Sequence, residues 1–247
     1  MPIVPPEPDG YTLVMGGTGT LALSPNLQSK LGYDPVRDFA PITNLASTPY
    51  ILVTHPSVPV NSVKELLALA RAKPGALNYA SGGTGSAPHL AGELFRSMAK
   101  IEVVHVPYKG SSPAITELLG GQVQYMFTGI PSIIQQVKAG KAKLIAVTSA
   151  QRTPALPDTP TVSESGVPGY DVNPWFGILA PARTPPAIVT RLHDEIVGLL
   201  KAPAVRDRFA QEGIDVIGDT PAQFGKYIAT EREKWGKVLK SAGIKAE

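Results

Sequence analysis

The segment Ser81-Gly82-Gly83-Thr84-Gly85-Ser86-Ala87-Pro88-His89 gathers three glycines, three hydroxyls and an imidazole. Glycines let the main chain approach a ligand closely. A helix beginning at Ser86 would present free N–H groups and the positive end of its dipole, and Ser81, Thr84 and Ser86 add hydroxyl donors. Such a loop suits a carboxylate or phosphate; an ordinary capped turn has the same residue types, and chemistry alone leaves both readings open. It is neither a nucleotide phosphate loop, since it lacks the lysine and the spacing, nor a dinucleotide fingerprint. Gly16-Gly17-Thr18-Gly19-Thr20 repeats the design after an apolar run, and Thr128-Gly129-Ile130-Pro131-Ser132 is a third loop of this kind. Loops at the carboxyl ends of parallel strands gather along one sheet edge and form a ligand crevice, so three of them are a stronger signal than one. The candidate binding residues are Thr18 and Gly19 in the first loop, Ser81, Gly82, Gly83, Thr84, Gly85, Ser86 and His89 in the second, and Thr128 and Gly129 in the third.

Other reactive residues offer less. Of the four histidines, His55, His89, His105 and His193, no two have metal-ligand spacing. His193 lies in a polar helical pattern, His55 precedes a proline after a strand, and His105 sits in an alternating strand. A serine hydrolase or transferase using Ser86 or Ser81 with His89 is the enzymatic alternative. Residues three apart at a helix start are poorly placed for proton transfer, however, and no nucleophile elbow is present. Carboxylates do not cluster in the glycine-rich loops, so acid–base chemistry lacks carriers. With no cysteine, disulfides, thiolate zinc sites and cysteine nucleophiles are excluded. No metal or organic cofactor is expected.

The elements that must position these loops follow from the hydrophobic pattern. Tyr11–Met15, Tyr50–Thr54, Leu77–Ala80, Ile101–Val106, Gln122–Phe127 and Leu144–Thr148 read as strands. Ser62 with Glu65 has capping-box spacing before a helix to Lys73; further helices follow over Ser86–Met98, Pro113–Leu119 and Pro131–Ala139. From 77 to 148 strands and helices alternate, which favours a mostly parallel sheet flanked by helices. The tail differs, with helices over 185–200 and 204–211, a short strand at 214–217, and a helix opened by the capping box of Thr220 and Gln223. The 247 residues allow one large domain or two small ones. A net charge of +3, from 23 basic and 20 acidic residues without a basic stripe, gives no reason to expect nucleic acid. No stretch approaches the length of a membrane helix. Met1-Pro2-Ile3-Val4-Pro5-Pro6 has neither the basic start nor the apolar run of a signal peptide.

Several ordered motifs together resemble one family. They are Asp9-Gly10-Tyr11-Thr12-Leu13 with its glycine–threonine loop, Tyr33-Asp34-Pro35 with Asp38-Phe39-Ala40-Pro41, Asn78-Tyr79-Ala80-Ser81-Gly82, and His89 to Phe95. Val106-Pro107-Tyr108-Lys109-Gly110, Leu156-Pro157-Asp158 with Pro160-Thr161-Val162, Trp175-Phe176-Gly177 and Ala180-Pro181-Ala182 complete the series. From residue 9 onward the chain resembles the Bug family, the solute-binding receptors of tripartite tricarboxylate transporters. The resemblance implies a two-domain periplasmic-binding-protein type II fold of α/β class, each domain a mostly parallel sheet flanked by helices. It implies a first, discontinuous domain of 1–53 plus 178–247 and a second, complete domain of 54–177. It implies a non-enzymatic periplasmic receptor that captures a small organic carboxylate in an interdomain cleft and serves the transporter's membrane subunits. Family members begin with a signal peptide, then a strand, a glycine-rich loop and a helix ahead of the segment matched at Asp9. The first domain is therefore expected to lack its N-terminal strand and helix, and self-association through the uncovered surface is expected. Many relatives also carry an Asp-Asn pair where this chain has Thr128-Gly129, which implies a weaker preference for ligands bearing an ammonium group. The absent export signal motivates a further alternative, a cytoplasmic carboxylate sensor.

Overall fold

The structure, a computed structural model, describes residues 7–28, 30–211, 213–241 and 243; the stretch Met1–Pro6, considered above for a signal peptide, lies outside them. In chain order the elements are β1 (Val14–Gly17), a wide helical turn (Thr18–Leu23) running into α1 (Ser24–Leu27), β2 (Phe39–Ser47), β3 (Tyr50–Thr54), α2 (Val63–Ala72), β4 (Asn78–Ser81), α3 (Ala87–Ala99), β5 (Val104–Pro107), α4 (Ser111–Leu119), β6 (Tyr125–Gly129), α5 (Ile130–Lys138) and β7 (Lys143–Val147). β8 (Trp175–Pro181), α6 (Pro186–Leu200), α7 (Pro203–Gln211), β9 (Asp215–Val216) and α8 (Pro221–Ser241) follow. The chain forms two compact units: Met1–Ser47 with Pro174–Glu247, and Thr48–Asn173. β3 pairs within the second unit and β8 within the first.

The second unit holds a five-stranded sheet in the order β5-β4-β6-β3-β7. β5, β4 and β6 run parallel, whereas β3 is antiparallel to both neighbours. The first unit holds β1-β8-β2-β9, with every pairing antiparallel. The α/β class stands, but mostly parallel pairing does not describe the sheets: it holds for three neighbouring strands of one unit. Helix–strand alternation enforces parallel pairing only where a helix returns the chain to the same end of the sheet. β3 and β8 begin within a few residues of the points where the chain passes between units, and each enters its sheet without such a return.

Local rules account for most boundaries. Ser62 caps α2, its hydroxyl accepting from Glu65 N–H at 3.2 Å. Glu65 reaches back to the N–H of Asn61 at 2.6 Å, one residue before the cap. Thr220 and Gln223 make a reciprocal box at the start of α8, with Gln223 N–H on the Thr220 hydroxyl at 3.3 Å and Thr220 N–H on Gln223 Oε1 at 3.0 Å. The core of the second unit packs Ile51, Val53, Ala80, Met126, Ile133 and Val147 between sheet and helices. In the first unit, Trp175, Trp235, Phe224 and Ile42 are fully buried.

Candidate functional site

Because β5, β4 and β6 are parallel, their carboxyl ends lie at one edge of the sheet. Ser81 sits beside Pro107 and Ala80 beside Met126. Each strand then feeds a helix that starts at this edge: α3 after Ser86, α4 after Gly110 and α5 after Gly129. The first turn of each contains a proline, Pro88, Pro113 or Pro131, which lacks an N–H and has the backbone angle a helix start needs. Three helix N-termini thus bring positive dipole ends to one place. Ser81 to Ser86, His89, Thr128 and Gly129 all belong to this edge. Thr18 and Gly19 lie in the first unit.

Hydrogen-bond accounting decides which donors the loop can offer. Gly83 N–H is spent on the Ser81 hydroxyl at 3.1 Å and Ser86 N–H on Gly83 O at 3.2 Å. Gly85 N–H goes to His89 Nδ1 at 3.0 Å and His89 N–H to the Ser86 hydroxyl at 3.4 Å. Among the described residues, the N–H groups of Gly82, Thr84 and Ala87 make no hydrogen bond within the protein. Gly83 and Gly85 hold φ of +130° and +78°, a region costly to side chains, so the loop needs glycine there. The next loop braces it: Tyr108 N–H donates to Ser81 O at 3.0 Å and Gly110 N–H to Gly82 O at 3.1 Å.

The remaining candidates are placed differently. Thr84 is exposed; Ser81 and Thr128 are buried, Thr128 as part of β6. Gly129 caps α5. Thr18 is buried and its Oγ1 accepts from Trp175 N–H at 3.0 Å, whereas Gly19 is exposed in open space.

Neither serine assigned above to His89 bonds its ring. The Ser86 hydroxyl turns to Gly83 O at 2.7 Å. The Ser81 hydroxyl lies 2.7 Å from His105 Nε2, but Ser81 is fully buried and cannot meet a substrate. The position of His105 is what sequence reasoning missed. Its ring stacks on His89, with centroids 3.9 Å apart, and on Tyr79 at 4.9 Å. Tyr79 donates to Glu93 Oε1 at 2.6 Å, and Arg96 places Nη2 at 2.6 Å and Nε at 3.0 Å from Glu93 Oε2. Burial, then the neighbouring His89, pushes His105 down to about 4, and burial lowers His89 as well. Burial pushes Glu93 up, but the bonds from Arg96 and Tyr79 together outweigh it and hold the carboxyl below its usual range. The sequence signal for His105 was its place in an alternating strand; the β4–β5 register that sets it opposite Tyr79 is a tertiary fact.

Elsewhere, a cavity of about 550 Å³ in the first unit is lined by Val14, Tyr33, Phe39 and Pro181, with Arg37 and Arg183 among its polar groups. None of the candidate residues lines it. Among the described residues no group of three or more histidines and carboxylates could hold a metal ion, and no helix is long and apolar enough to cross a membrane.

Comparison with known proteins adds the lineage. The family model described as tripartite tricarboxylate transporter family receptor matches residues 3–244. Protein BugT of Bordetella pertussis is 33% identical over 238 residues, covering 96% of this chain and 73% of that protein. The solved structure of R. palustris Rpa4515 with adipate superposes with a TM-score of 0.84 at 36% identity, over 98% of this chain and 81% of that one. MatC from Rhodopseudomonas palustris with bound malate gives 0.77 at 31% identity, over 95% and 81%.

Proposed function

The chain belongs to the tripartite tricarboxylate transporter receptor family, and from that premise we propose that it binds a small organic carboxylate at the carboxyl edge of the β5-β4-β6 sheet. The carrying observation is the set of unspent N–H groups at Gly82, Thr84 and Ala87, where three helix N-termini meet. Donors of this kind favour an anion and need no counter-ion. Gly83, Gly85, Ser81, Ser86 and His89 shape the loop, and Gly129 with Thr128 forms the neighbouring wall. Thr18 and Gly19 are proposed as further ligand contacts. The adipate and malate bound by Rpa4515 and MatC support a dicarboxylate. Calorimetry with adipate, malate and citrate is expected to give saturable heat for at least one, and an amino acid with an added ammonium group is expected to bind less well. Absence of binding by every carboxylate would overturn the assignment.

The receptor is proposed to act without chemistry, in the periplasm, delivering its ligand to transporter membrane subunits. An activated-serine probe should leave the protein unlabelled, and fractionation of the native host should recover it with periplasmic markers. Among the described residues β1 pairs on one side only, with β8, and Tyr11 and Leu13 before it and Met15 within it are exposed. These features support self-association, and light scattering across a concentration series tests it.

A further inference from the structure

We infer that His105 and His89 form a positioning pair for the anion loop, and that through them capture of a carboxylate is linked to uptake of one proton. The inference rests on the carboxylate reading above and deepens it. Its geometry is independent of any ligand. His89 Nδ1 accepts the Gly85 N–H at 3.0 Å, so the neutral ring carries its proton on Nε2. A proton added at Nδ1 turns that acceptor into a donor. Gly85 N–H is then released inside the loop, next to the unspent donors of Thr84 and Ala87, and an anion is the acceptor that can take it. His105 acts on the other end of the loop. With Nε2 protonated it donates to the Ser81 oxygen at 2.7 Å. The Ser81 hydroxyl is then directed to Gly83 O at 3.1 Å while its oxygen also accepts from Gly83 N–H. The rings stack at 3.9 Å, so a charge on one opposes a charge on the other, and the pair takes a single proton.

The groups facing the pair set its balance. From α3 come Glu93 and Arg96, from β4 Tyr79 and Ser81, and from β6 Tyr125, whose ring stacks on Tyr79. Glu93 favours the protonated pair and Arg96 opposes it. Burial, the largest influence, keeps both rings neutral near pH 7 in the free protein. A carboxylate at the loop adds a negative charge on the open side and tips the balance toward imidazolium. Linkage is reciprocal: if the anion favours the proton, the proton favours the anion to the same degree.

Two conservative variants separate this role from packing. In His89→Asn the side-chain oxygen can occupy the Nδ1 position, and in His105→Gln a polar atom can occupy the Nε2 position, but neither takes a proton. Imidazole and amide resonances are followed from pH 7.5 to 4 without ligand, and adipate binding is then measured by calorimetry in two buffers of different ionisation heat. The Gly83 and Gly85 amides should titrate with the imidazoles in the parent protein and stay fixed in the double variant. Between pH 7.5 and 6 the parent's affinity for adipate should rise roughly five-fold or more relative to the double variant, with net proton uptake; the ligand's own titration is common to both proteins. Loop amides indifferent to the imidazole titration would overturn the inference, as would adipate binding with no proton uptake and the same pH profile in both proteins. If adipate gives no heat at any pH, the carboxylate reading fails for that ligand, and the amide titration alone decides whether the pair positions the loop.

Discussion

Among the described residues each unit carries one buried, heavily bonded carboxylate, and the two serve different ends. Glu231, on α8 of the first unit, accepts from the indole N–H of Trp235 at 3.0 Å and of Trp175 at 3.3 Å, with Lys234 at 3.0 Å. Its partners are a core strand and its own helix, so its bonds hold the unit together. Glu93, on α3 of the second unit, accepts from Tyr79 and Arg96. Above Tyr79 stacks His105, which touches the loop. The same chemistry is glue in one unit and the base of the proposed binding edge in the other. What differs is whether the carboxylate's partners lead to the surface through groups that can change charge.

The largest expected effect breaks this comparison at Glu231. Glu231→Ala strands two buried indole N–H groups, and two such unsatisfied donors together cost about 3–5 kcal/mol. The chain has two tryptophans, both in this cluster, so urea unfolding followed by their fluorescence reads this unit directly. Glu93→Ala should cost less, about 2 kcal/mol, because it strands one buried neutral donor, the Tyr79 hydroxyl, while Arg96 is about a third exposed and can turn to water. Hydrogen exchange resolved to β4 and β6 should register that loss while the tryptophan transition stays in place. Equal losses from the two substitutions would mean the carboxylates play the same part.

The second unit was the more legible in sequence, and the reason is local. Between residues 78 and 138 each strand is followed by its own helix, so hydrophobic period, caps and glycine stops all agree; the loop at Ser81 fell out at a strand end, while Thr128, read as loop, is part of β6. In the first unit β2 and β8 were not read as strands. Bulges between Pro41 and Thr43 and between Asn44 and Ala46 break the alternation of β2, and Pro41 fits only because β9 pairs further along, at Ala46 and Ser47. β8 is buried on alternate and adjacent positions alike, so it has no period to read. At the site, glycine and hydroxyl content located the loop, and its spent donors go to groups of the same segment; what no local pattern records is the histidine that the neighbouring strand brings against the Ser81 hydroxyl.

Acid should separate the units next. A histidine whose folded pKa is depressed makes the unfolded chain the better proton binder, so its stabilising contribution is present above the ordinary 6.5 and is lost as pH falls toward the folded value. For His105 that window runs from 6.5 to about 4. A shift of this size would correspond to roughly 3 kcal/mol if fully expressed; partial solvent screening reduces the expected loss in the second unit to about 1–2 kcal/mol. In the first unit, burial holds Asp219 above the usual carboxylate range. The sign there is opposite: the folded state binds the proton more tightly, so this contribution grows as pH falls. Chemical denaturation at pH 7 and 5, read by tryptophan fluorescence for one unit and by hydrogen exchange for the other, should show the second unit weakening and the first holding.

The smallest effects come from two glycines in the candidate loops. Gly83 holds φ +130°, and a Cβ there would lie 3.2 Å from Tyr108 O, a main-chain atom that cannot swing aside. Gly83→Ala should cost about 1 kcal/mol or somewhat more and weaken carboxylate binding, because Thr84 N–H follows the distorted residue directly. Gly19 lies in the first helical turn after β1, with φ outside the left-handed region and nothing within 4 Å of an added Cβ. There alanine removes backbone freedom from the unfolded chain and meets no obstacle, so Gly19→Ala should change stability by no more than about 0.5 kcal/mol, toward greater stability if at all. Its binding phenotype then carries the information. With the fold unaffected, a clear loss of carboxylate affinity would make Gly19 a point of ligand approach, and unchanged affinity would remove the first loop from the site while leaving the β5-β4-β6 edge intact.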